Sequence, residues 1–143
     1  MLVDPNMGLG RIIMPNNTPK EKAKRCILIE MMLAIQEALT KLGDDPEVSV
    51  VLMAVRLGHY SDRPMDITSL AGATSLPRTT VLRHLRLLEE NKRVTIQRGG
   101  RRTIVTLDGR ADIKETAPFY RLVNRVVMEA ARNLSKLDTK TID

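Results

Sequence analysis

Five side chains on one short stretch, Arg78, Thr79, Thr80, Arg83 and Arg86, have the chemistry to read duplex nucleic acid. Arginine can donate two parallel hydrogen bonds to guanine O6 and N7, and threonine can touch a thymine methyl or a phosphate oxygen. They lie in 76–90, whose spacing predicts a helix opened by Pro77, with Val81, Leu85 and Leu88 on its inner face. Backbone N–H groups at the start of such a helix favour a phosphate. Further on, Gln97-Arg98-Gly99-Gly100-Arg101-Arg102 sets three more arginines around a glycine pair. The pair predicts positive φ and a tight hairpin between strands 93–97 and 102–107. Arg78, Thr80 and Arg83 are expected at base edges, with Pro77, Thr79 and Arg86 beside them on the same face. Arg98, Arg101 and Arg102 are expected on the phosphate backbone or in a narrow minor groove, supplying affinity and salt dependence.

Charge agrees with this placement. Between Leu76 and Arg102 there are eight basic and two acidic side chains, a surplus equal to the formal +6 of the whole protein. A surplus confined to one supersecondary unit favours a polyanion docking there over a uniformly basic surface. The three aromatic residues, Tyr60, Phe119 and Tyr120, all lie outside the basic stretch. Single-stranded nucleic acid is read by stacking bases on aromatic rings, so double-stranded DNA is the expected partner.

The 143 residues suffice for one domain with a real core. A single cysteine, Cys26, excludes an internal disulfide and a cysteine-cluster zinc site, so neither metal nor other cofactor is expected. No apolar run spans about 18 residues, which implies a soluble, cytoplasmic protein without membrane contact. Nor is there a nucleophile–base pair or a phosphate loop, so no enzymatic role is expected. His59 has no role assigned, and His84 falls where a helix-turn-helix is normally apolar and is expected to be packed.

The surrounding elements must position the basic helix. Residues 1–17, rich in Pro, Asn and Gly, read as a flexible N-terminal arm. Thr18, Pro19 and Glu21 form a capping box for a helix that Gly43 ends, apolar on most sides through Leu33 and therefore in need of cover. A second helix runs from Asp45-Pro46 to Gly58, and Met65–Ile67 reads as a short strand. Thr68 is the expected cap of a third helix over 69–73. Ala71 is small where two helices cross, and Val81, ten residues on, points into the core: the steric skeleton of a helix-turn-helix. After Asp108-Gly109, Pro118 is expected to divide a short helix at 111–115 from a longer one at 118–137. Phe119, Val123, Val126, Ala130, Leu134 and Leu137 form the apolar stripe of the longer helix.

Over 65–110 these residues resemble winged-helix bacterial transcription regulators. Arg101-Arg102-Thr103-Ile104-Val105-Thr106-Leu107-Asp108-Gly109 is similar to the wing exit of the MarR type. Thr80-Val81-Leu82-Arg83-His84-Leu85 is similar to the ArsR type, and Leu76-Pro77-Arg78-Thr79-Thr80-Val81 to the IclR type. Ser75 and Lys92 stand where such proteins usually carry glycine, and Asn91 is expected to take the left-handed conformation after the basic helix. The ArsR-type cysteine metal motif is absent. The MarR resemblance implies terminal helices that interlock in a homodimer, a small-molecule effector, and a redox-sensing role for Cys26, whose residue type alone favours burial. It also favours repression over activation.

The expected fold is thus mainly α with a small β-hairpin wing. It is a single winged-helix domain over 18–143, with a winged helix-turn-helix at 65–107 and dimerisation helices at 18–43 and 118–137. The expected function is sequence-specific double-stranded DNA binding by a homodimeric transcriptional regulator. The alternative is a winged-helix interaction module that binds an acidic protein.

Overall fold

The computed structural model describes residues 18–140; the N-terminal arm at 1–17 lies outside them. In chain order the elements are α1 (Pro19–Lys41), α2 (Pro46–Tyr60), β1 (Met65–Asp66), α3 (Ile67–Thr74), α4 (Arg78–Glu90), β2 (Thr95–Gln97), β3 (Ile104–Thr106) and α5 (Gly109–Lys140). The fold is mainly helical with one small antiparallel sheet, in strand order β1-β3-β2. Two compact units divide the described chain, one at Leu39–Tyr120 and one formed by 18–38 with 121–140.

In the central unit, the apolar residues at helical spacing on α2, α3 and α4 point inward together. Val51, Val55, Leu70, Val81, Leu85 and Val105 are essentially inaccessible to solvent and form one cluster with Leu52, Ile67, Leu88 and Leu107. Ala71 packs against this cluster, as the crossing of α3 and α4 requires. Truncating such a side chain, as in Leu85→Ala, costs about 2–5 kcal/mol.

Carboxylates open three of the four helices that begin in this unit. Asp45 accepts from the Val48 amide at 3.1 Å, and Pro46 fits the first turn because its missing N–H would have had no partner there. Asp66, not Thr68, caps α3, accepting from the Ser69 amide at 2.8 Å. An ionised carboxylate reaching the third amide also meets the positive end of the helix dipole, which a hydroxyl one residue inside the helix does not. Asp108 does the same for α5, accepting from Arg110 and Ala111. At α1, Thr18 accepts from the Glu21 amide at 3.1 Å, but the Glu21 carboxylate accepts from Arg25, so only half of the expected capping box is seen.

Helix ends depart from expectation at three places. α2 runs past Gly58 to Tyr60 and closes with Asp62 at φ +58°, where Asp62 and Arg63 donate back to His59 and Gly58. Gly58 is needed for clearance, since a Cβ there would sit 2.9 Å from the Arg63 carbonyl oxygen and 3.0 Å from the Met65 nitrogen. α4 closes in the same way, with Lys92 rather than Asn91 left-handed at φ +60° and the Arg93 amide donating to Leu88. Ser75 takes the left-handed turn conformation itself, at φ +59°. The third departure is α5, which is continuous through Pro118. Pro118 and Lys114 are both exposed, so the carbonyl that loses its helical partner faces solvent.

The sheet ladder is shorter than expected. Met65 pairs with Val105, and Gln97 pairs with Ile104, so the wing loop is 98–103 and not the shorter 98–101. Gly99 and Gly100 do take positive φ, at 108° and 89°. Strand pairing stops where the Arg98 and Arg102 side chains turn to the carboxylates of Glu89 and Asp66.

In the flanking unit, Asp138 lies 3.5 Å from both Lys20 and Lys24, and the lysines hold its carboxyl below the usual carboxylate range. The α5 stripe here is half-buried at Val123, Val126, Leu134 and Leu137, and buried at Ala130. On α1, Leu28, Ile29, Met32 and Leu33 stay exposed, as do Val127 and Met128 on α5.

Candidate nucleic-acid interface

Burial divides α4 lengthwise. Val81, Leu85 and Leu88 hold it down from beneath, and Arg78, Thr79, Arg83 and Arg86 are exposed with Thr80 at the boundary. Pro77 occupies the N-cap position just outside the helix, so α4 begins at Arg78 rather than at the proline. Arg78 donates from Nη1 to the Thr68 hydroxyl at 2.8 Å. That contact ties the start of α4 to α3 and gives Thr68 a use other than capping.

His84 is buried, as expected of its position, with its Nε2 2.9 Å from Glu47 Oε1 on α2. The carboxylate requires Nε2 to be the donor, and Nδ1 finds no partner among the described residues. Arg83 Nη2 lies 3.8 Å from the same Glu47 oxygen, within ion-pair distance and beyond a hydrogen bond.

The wing arginines differ from one another. Arg98 forms a two-pronged pair with Glu89, at 2.9 and 3.0 Å, and Arg102 Nε donates to Asp66 at 3.0 Å. Arg101 and Arg86 make no ion pair among the described residues. Hydrogen bonding to Arg98 draws the Glu89 carboxyl below its ordinary range and raises the Arg98 guanidinium. Asp66 is lowered first by its bond from the Ser69 amide, then by the Ser69 hydroxyl and Arg102. One carboxylate therefore both caps α3 and holds the wing.

All nine expected DNA-facing residues fall in the central unit. Composition counted the charges without finding their partners Glu47, Asp66, Thr68 and Glu89. Asp66 carried a legible signal as a capping residue three before Ser69; for Glu89 and Glu47 no sequence spacing points to the pairing. Cys26 belongs to the flanking unit and is exposed, against the burial its residue type favours.

Behind the C-terminal end of α4 is a cavity of about 350 Å³ lined by Leu42, Leu52, Asn91, Leu107 and several charged residues. Two ion pairs form part of its wall. Arg56 is nearly buried and donates through Nε to both oxygens of Asp112, and Arg93 forks onto Asp44 at 2.6 and 3.0 Å. Tyr60 donates to Asp112, and burial, followed by that hydrogen bond, pushes its phenol up to about 12. Among the described residues no group of three or more His, Cys, Asp or Glu is placed to hold a metal ion. No described helix is long and apolar enough to cross a membrane.

The fold is similar to that of several solved structures, among them MepR, a transcription regulator of the Staphylococcus aureus multidrug efflux pump MepA. A variant of MepR from S. aureus, bound to an oligodeoxyribonucleotide, superposes with a TM-score of 0.60 at 21% identity, covering 82% of this chain and 86% of that one. The chain has a MarR-like winged-helix fold. AbfR in its disulfide form matches at 0.57 with 15% identity over 96% of each chain. YusO from Bacillus subtilis matches at 0.52 with 15% identity, covering 93% of this chain and 85% of that one. At these identities the likeness is one of fold. No protein-family model matches the sequence, and no curated protein sequence matches it.

Proposed function

We propose that this chain is a sequence-specific double-stranded DNA-binding transcriptional regulator that acts as a homodimer and represses by occluding its site. The observation that carries this reading is the exposed N-terminal half of α4, with Arg78, Thr79, Arg83 and Arg86 on a helix anchored by Val81, Leu85 and Leu88. Its amide-bearing start and basic side chains suit a major groove, with Arg101 at the wing beside it. The MepR complex with an oligonucleotide supports the choice of ligand by likeness of fold. Exposure of Arg78 and Arg83 keeps the acidic-protein alternative second, since neither is covered by the chain itself.

Dimerisation is supported by the exposed Leu28, Ile29, Met32 and Leu33 on α1, an apolar face that a second copy would bury. Two copies would set two α4 helices on half-sites about 34–36 Å apart. The cavity behind α4 is our candidate seat for a small-molecule effector, because its wall includes Arg93, directly after the α4 terminus.

The test is fluorescence anisotropy on random-sequence duplex DNA over a salt series, followed by selection from a genomic library. We expect affinity to fall steeply with salt and one near-palindromic site to be enriched. Absence of binding at low salt would move the acidic-protein reading to first place.

A further inference from the structure

The wing loop 98–103 contains two glycines at positive φ and no ladder pairing of its own. A loop of that composition samples many orientations unless something fastens it. Here each leg is fastened to the helix-turn-helix by a charged pair: Arg98 to Glu89 in the last turn of α4, and Arg102 to Asp66 at the start of α3. Arg101 lies between the two fastenings without an ion pair among the described residues.

Glu89 is badly placed for the helix that carries it. A carboxylate in the last turn faces the negative end of the helix dipole and is disfavoured there by a few tenths to about 1 kcal/mol. It also places negative charge beside a basic face. The favourable contact given to it is the fork onto Arg98, whose two prongs fix orientation as well as distance.

Resting on the DNA-binding reading above, we infer that Glu89 is a positioning residue for DNA recognition: through Arg98 it braces the wing against α4, leaving Arg101 as the wing cation that meets the DNA. Arg98 then contributes geometry rather than charge, because Glu89 already neutralises it. The lowered Glu89 carboxyl and raised Arg98 guanidinium accord with a pair that stays ionised together.

Simple electrostatics and the brace predict opposite signs for one substitution. Removing the Glu89 charge raises the net positive charge, so a purely electrostatic surface should bind duplex DNA more tightly. With a brace, binding weakens instead. Exposed pairs contribute modestly, so the expected loss for Glu89→Gln is about two- to five-fold at fixed salt.

The experiment measures duplex DNA binding by anisotropy across a salt series for wild type, E89Q, R98A, R101A, E89R, R98E and the double swap E89R/R98E. We expect E89Q to weaken binding and the swap to bind better than either charge-changing single variant. We expect R101A to lower the salt slope by about one ion and R98A to leave the slope unchanged. Thermal melting of each variant separates a lost brace from a lost fold, and rescue by the swap is a result that general destabilisation does not produce. Binding by E89Q equal to or tighter than wild type, or a swap no better than the singles, overturns the brace and leaves the DNA reading standing. If wild type itself shows no salt-dependent binding to duplex DNA, the DNA reading falls and the brace falls with it.

Discussion

Seven of the arginines and threonines expected to face DNA are exposed, yet their surroundings give them different work. Arg83 lies on the outer face of α4 near Glu47, and Arg101 lies at the wing without an ion pair among the described residues. We expect Arg83→Ala to relax discrimination at one base position by about 1–3 kcal/mol. Arg101→Ala should weaken all sequences alike, as backbone contacts do. Competition binding with single-base operator variants separates the two, and a uniform loss for Arg83→Ala would assign that residue to phosphate. At the same scale, Lys92 holds a left-handed conformation that costs a non-glycine residue about 1–2 kcal/mol, partly offset by the extra unfolded-state freedom of glycine. Lys92→Gly should therefore stabilise the protein by about 0.5–1 kcal/mol, read as a rise of a few degrees in melting temperature.

At the scale of elements, sequence periodicity located α4, because Val81, Leu85 and Leu88 repeat at the spacing of a packed face. Residue type marked the glycines of the wing, because few residues other than glycine occupy positive φ readily. What it missed was tertiary. Pro118 reads locally as a helix break, but only the fold reveals that the Lys114 carbonyl it leaves unpaired is on the solvent side. The ladder was expected to reach Arg102, and the diversion of Arg102 to Asp66 and of Arg98 to Glu89 depends on a cap and a helix end brought near by folding. For the candidate site, residue types were legible one by one while their ion-pair partners were not. Asp66 joins two elements, so Asp66→Ala should lower stability and weaken DNA binding together, whereas Asp66→Asn should retain part of the cap and lose the pairing with Arg102. Melting temperatures and binding constants for the two variants test this, and equal behaviour would mean that the pairing with Arg102 alone matters.

For the whole molecule, two properties can be read in solution. The apolar α1 face predicts a particle of twice the 16.1 kDa chain mass, and Leu33→Glu should shift it to monomer in analytical ultracentrifugation. A wild-type monomer at micromolar concentration would remove the dimer from the proposal. The second property is response to acid. Asp66, Glu89 and Asp138 all have carboxyls lowered in the folded state. A lowered folded pKa contributes stability that is complete above the unfolded value, near 4 for these groups, and is lost as pH falls through the folded one. Stability should thus be flat from neutrality to about pH 5 and decline below about pH 4. Melting curves across that range, with Asp138→Asn as comparison, should show a shallower decline in the variant.

Gly58 extends this reasoning to what the lineage can change. The missing side chain lets the backbone at Arg63 and Met65 return across the end of α2, and Met65 then pairs with Val105 on the strand that leaves the wing. A methyl group at position 58 would push against backbone and not against a side chain that can swing away. Its effect would pass through β1 into the attitude of the wing, far along the chain from any arginine. In a library mutated at every position, 58 should therefore be intolerant both to selection for folding and to selection for binding. Revertants of Gly58→Ala should arise by insertions in the loop 61–64, where added length would let the strand reach its partner by a wider path.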